Sequence, residues 1–113
     1  MEEELNKIKN DVIQKIAAEV VKHSLLECEE GLEPATEILT WLATNNKLSM
    51  GACKEYAKKV WDARVLIKKY TSEMRNGNFN PSLQKSEEII EELADFSNTI
   101  GELRLICELN LNQ

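Results

Sequence analysis

Residues 50–76 read MGACKEYAKKVWDARVLIKKYTSEMRN. Within them Cys53, Tyr56, Val60, Ala63, Ile67, Tyr70 and Met74 recur at alternating steps of three and four. At about 100° per residue that spacing holds all seven on one helical face. A seam sustained this long is the mark of a helix packed lengthwise against others. Ser49 stands before it as an N-cap, its hydroxyl placed to accept a first-turn amide. Leu48 and Cys53 occupy the positions of a hydrophobic staple. Gly77 follows, the residue that tolerates a left-handed helix C-terminus.

Working outward, Asn80-Pro81 reads as the cap and first turn of a second long helix reaching about residue 109. Ile89, Leu93, Phe96, Ile100, Leu103 and Cys107 repeat the seam. A smaller stripe of Ile90, Ala94, Ser97, Gly101 and Leu105 predicts close backbone approach at Gly101. Upstream, residues 3–28 form a helix whose apolar face drifts. Leu5, Ile8, Val12 and Ile16 share one face, and Ala17, Val20, Ser24 and Cys28 lie further round. Such a helix touches two neighbours in succession. Gly31, inside Glu29–Glu33, predicts a stop, and Pro34 predicts the start of a short helix to about residue 45. Ile38, Leu39, Trp41 and Leu42 give it an apolar face.

The expected fold is therefore all-α, a single domain over residues 1–113. It is a four-helix bundle of three long helices and one short one. The long helices measure about 40 Å at 1.5 Å per residue. A short helix cannot cover seams of that length, so a second copy is expected to complete the bundle, giving a homodimer.

Composition narrows the function classes. The chain has 113 residues, 42% apolar and 30% charged, which is too apolar for a disordered tail. Four Gly and two Pro are too few for the frequent turns of a β-sandwich. Cys28, Cys53 and Cys107 are odd in number and form no CxxC, unlike a secreted disulfide framework. The start, Met1-Glu2-Glu3-Glu4, is acidic where a secretory signal is basic. No apolar run approaches the ~18 residues of a membrane span. These features predict a cytoplasmic protein with reduced cysteines, no membrane contact and no cofactor.

Charge is segregated. The formal total is −6, yet residues 47–76 carry eight bases against three acids. Lys54, Lys58, Arg64 and Lys68 fall on the face opposite the Tyr56–Met74 seam, with Trp61 and Val65 among them. Lys54, Lys58, Trp61, Arg64 and Lys68 are the candidate working surface. An interface would bury Trp61 as an anchor. A nucleic acid or other polyanion would instead meet the lysines with its phosphates and stack a base on Trp61. Ile38-Leu39 and Leu42, then Leu48-Ser49, then Ala52 and Tyr56-Ala57 have helix-turn-helix spacing, which supports the polyanion alternative.

Ser86 to Phe96 contains Glu88-x-x-Glu91 and Glu92-x-x-Asp95. Carboxylates three apart share a helix face and can hold Mg²⁺ through oxygen ligands. This stretch resembles the second acidic motif of the MazG-like all-α nucleotide pyrophosphatases. The resemblance implies a Mg-dependent nucleotide hydrolase with Glu88, Glu91, Glu92 and Asp95 as metal ligands. Its companion motif would be Glu30-x-x-Glu33, followed by Glu37. His23, flanked by Glu19 and Glu27 at four-residue steps, reads as a surface histidine in a charge ladder. His23 with the three cysteines matches a zinc ligand count but not zinc spacing. The leading expectation is a non-enzymatic protein–protein interaction or assembly module that self-associates.

Overall fold

The computed structural model describes residues 1–111. Among them three α-helices account for all regular structure: α1 (Glu2–Thr44), α2 (Met50–Arg75) and α3 (Leu83–Leu111). The all-helical class is as the sequence predicts. The four-helix count is not. The expected helices at about 3–28 and 34–45 are one 43-residue helix, with Pro34 inside it.

The reason is burial. Ala18, Val21, Leu25, Cys28, Leu32, Ala35 and Leu42 are all buried on α1, and Leu39 is half-buried in line with them. This three-four seam runs through Gly31 and Pro34 without losing phase, so the continuous helix buries what a break would expose. Proline removes one amide, leaving the Glu30 carbonyl without its usual intrahelical donor. Pro34 and Glu30 are both exposed, on the side away from the seam, where water can serve that carbonyl. Gly31 is not a stop but a contact. A Cβ added there would lie 2.9 Å from Ile100 Cδ1. The terminal methyl of Ile100 on α3 fills the space that a side chain there would take. Gly101, where close approach was expected, is exposed with open space around it.

The other two helices follow their signals closely. The Ser49 hydroxyl accepts from the Ala52 amide at 3.1 Å and caps α2. Gly77 takes φ +73° just after α2 ends. At α3 the cap falls two residues later than expected. The Ser82 hydroxyl, not Asn80, accepts from the Lys85 amide at 3.1 Å. Pro81 is buried instead, and its carbonyl accepts from Gln14 Nε2 at 3.2 Å. Phe79 seals the same turn, edge-on to Tyr70 with ring centroids 5.7 Å apart.

The molecule measures 66 × 26 × 21 Å. At 1.5 Å per residue α1 alone spans about 65 Å, so it sets the long dimension. α2 folds back beside its C-terminal half, since Arg75 at the end of α2 reaches Glu29 at 2.7 Å. α3 then runs alongside α1, with Pro81 beside Gln14, Ser97 beside Cys28 and Ile100 beside Gly31. Gln14 therefore marks where the bundle begins. Residues 1–13 are exposed throughout, and the first buried side chain is Ala18. About 20 Å of α1 projects beyond the bundle as a single helical arm.

Candidate interaction surfaces

The arm is not polar all round, as a solvated helix would be. Leu5, Ile8, Val12, Ile13, Ile16 and Val20 lie within a roughly 140° arc of the α1 wheel. Each is 48–59% exposed. The arc faces roughly opposite to the Val21–Leu42 seam, so residues 16–21 carry apolar groups on both sides. Lys9 and Glu19 interrupt the outward stripe. On the bundle-facing side of the arm the residues are Glu3, Asn6, Lys7 and Asn10. The helix thus inverts its polarity along its length. Six half-exposed aliphatic side chains make a patch on the order of 500 Å², near the upper end for a monomeric soluble protein. Sequence periodicity placed Leu5, Ile8, Val12 and Ile16 on one face and gave the helix a second neighbour, but set Val20 further round. It did not show that the face points away from the bundle.

The five residues expected to form the working surface lie on the outer side of α2. The structure divides them. Lys54, Lys58 and Trp61 are open to solvent, with Trp61 61% and the adjacent Val65 54% exposed. Lys68 turns towards α1, its Nζ 3.8 Å from Glu29 Oε2. Arg64 borders a shallow depression shared with Glu33, Glu37 and Trp41 of α1. The basic helix is therefore partly answered within the chain by Glu29 of α1.

Glu29 is the centre of that match. Its Oε1 accepts from Arg75 Nη2 at 2.7 Å, while Oε2 is shut from solvent with no hydrogen-bond donor of its own. Burial opposes ionisation there. The neighbouring Thr71 hydroxyl, Arg75 and Lys68 outweigh it and hold the carboxyl below its ordinary range. α1 and α2 meet at Glu29–Arg75 and again where Arg64 borders Glu33, Glu37 and Trp41.

α2 and α3 border a groove of about 670 Å³. Ala63, Leu66, Leu93 and Phe96 floor it, and Lys59, Asp62, Glu92, Asp95 and Glu102 rim it. The Tyr56 hydroxyl donates to Glu102 Oε2 at 3.0 Å across the two helices. Burial first, and the Glu102 carboxylate second, push the Tyr56 phenol above its ordinary range. Asn98 and Thr99 complete the lining.

Glu88, Glu91, Glu92 and Asp95 are all exposed, and Glu88 lies 3.7 Å from Lys85. Among the described residues no group of three or more His, Cys, Asp or Glu converges to hold a metal ion, Glu30 and Glu33 included. His23 is exposed in line with the outward stripe. Cys28 is buried with its Sγ 3.9 Å from Ser97 Oγ, and burial pushes its thiol up. No described helix is long and apolar enough to cross a membrane. No protein-family model, curated protein or solved structure matches this chain.

Proposed function

We propose that the chain is a non-enzymatic interaction and assembly module that self-associates through the outward apolar stripe of α1. The stripe carries this reading. Leu5, Ile8, Val12, Ile13, Ile16 and Val20 are about half exposed and, among the described residues, none joins the core cluster or packs against it, yet they repeat at helical spacing on one face. Leaving that face in water forgoes roughly 25 cal/mol for each Å². A contact that covers it gains that energy without disturbing the core, because the core seam lies on the other side.

Sedimentation velocity across a concentration series tests the proposal. The wild-type chain is expected to shift towards a larger species as concentration rises. Ile8→Asp/Ile16→Asp is expected to remain a 12.9 kDa monomer that keeps the helicity of the bundle and loses at most that of the arm. A wild-type chain that stays monomeric throughout refutes self-association.

The exposed Trp61, with Lys54 and Lys58 on the same face, favours a second reading: an anionic partner, nucleic acid included, on the outer side of α2. Binding to single-stranded DNA or RNA at low salt, lost in Lys54→Glu/Lys58→Glu, would support it. No binding at low salt would remove it.

A further inference from the structure

We infer that the partner of the outward α1 stripe is the same stripe of a second copy, laid antiparallel in one register so that each arm lies against the start of the other copy's bundle. This rests on the assembly reading above and adds the occupant, its direction and the residues that choose it. Along one flank of the apolar stripe stand Glu4, Asp11, Lys15 and Lys22, within roughly 40° of one another on the wheel. All four are at the surface, with Lys22 the least open. Glu4 and Asp11 are seven residues apart, as are Lys15 and Lys22. The flank is acidic in its first half and basic in its second.

An antiparallel two-fold pairing brings this flank against the same flank of the other copy. With Ile13 beside the two-fold axis, residue 4 meets residue 22 and residue 11 meets residue 15. Each acid then faces a base, four times across the interface. A parallel two-fold pairing does otherwise. It sets this flank against the opposite one, where Asn6, Asn10 and Ala17 offer no charge. Only the antiparallel register uses the pattern, and flanking charges of this kind select direction and partner in paired helices.

The area suffices. Both copies contribute their stripe, on the order of 1,000 Å² of apolar surface, and a typical polar rim brings the total to about 1,600 Å², the standard size of a specific interface. Each bundle lies on the far side of its own α1, so the paired stripes can meet. Lys22 contacts Glu19 of its own chain at 3.2 Å. An exposed pair of that kind is weak enough to exchange.

Charge reversal tests the register. Glu4→Lys/Asp11→Lys makes the flank wholly basic, and Lys15→Glu/Lys22→Glu makes it wholly acidic. Each variant alone is expected to self-associate at least tenfold more weakly than wild type by sedimentation equilibrium. An equimolar mixture is expected to pair at least as tightly as wild type. Circular dichroism checks that both variants keep their helicity, which these surface positions should not affect. If wild type dimerises and both variants dimerise equally well, the antiparallel register is overturned while the assembly reading stands. If wild type is monomeric throughout, both fall.

Discussion

Pro34→Ala tests whether α1 is one helix. In the structure the proline sits inside a 43-residue helix, exposed and opposite the buried seam. Alanine removes the ring from the preceding turn and restores an amide that can donate to the Glu30 carbonyl. Proline in a helix interior is about 3 kcal/mol less favourable than alanine. The unfolded chain gains freedom when proline is lost, which offsets about 1 kcal/mol. The net is about 2 kcal/mol of added stability. For a chain of this size each kcal/mol moves Tm by about 4 °C, so Tm should rise by about 8 °C. Thermal denaturation followed by far-UV circular dichroism measures this, with urea denaturation as a second estimate. A Tm that is unchanged or lowered would refute the continuous helix. That is the outcome if Pro34 instead opens a separate short helix, where its missing amide costs nothing.

Other substitutions probe the remaining contacts. Gly31→Val places branched carbon against Ile100 and should cost about 1–3 kcal/mol by overpacking, seen as a lower urea midpoint. Trp61→Ala should change stability by less than about 0.5 kcal/mol, because the ring is exposed; a larger loss would mean that it is buried. Glu29 has its pKa lowered by folding, so its stabilising contribution is present above the ordinary carboxyl value of 4.5 and is lost as pH falls through the folded value. Wild type should therefore lose more stability than Glu29→Gln on acidification below about pH 4.5, and equal losses would contradict the Arg75–Glu29–Lys68 arrangement.

Much of the fold is legible in the sequence because local chemistry and periodicity agree there. The expected helix at 50–76 is Met50–Arg75, set by the Ser49 cap and Gly77. The expected helix at about 81–109 is Leu83–Leu111, with Ser82 doing the capping assigned to Asn80. At Gly31–Pro34 two signals conflict. Gly and Pro mark a break, while Ala18 to Leu42 keep an unbroken three-four seam. Burial wins, since the lost hydrogen bond falls on the solvent side and the small glycine leaves room for the Ile100 side chain. Gly101 shows the converse, because a helical glycine at the surface needs no neighbour to account for it.

The candidate surfaces were only half legible. Helical spacing showed Trp61 opposite the α2 seam, and the structure exposes it. The same spacing could not show that Glu29, distant in sequence, draws Lys68 and Arg75 towards α1. Nor could it show where the bundle starts along α1. That depends on the turn at Phe79–Pro81 docking beside Gln14, a tertiary contact with no local signature. Once the bundle begins there, the apolar residues of the arm face outward and become the strongest unpartnered feature of the molecule.

An unsupported helical arm of about a dozen residues is marginally stable in water, so its amides should exchange quickly in the monomer. Hydrogen exchange over residues 5–16, measured at low and high protein concentration, is the most direct test that this face is the assembly surface. Protection of that segment should rise with concentration while protection around Val60–Thr71 stays constant. A chain that dimerises with residues 5–16 still unprotected would place the interface elsewhere and contradict the role assigned to the arm.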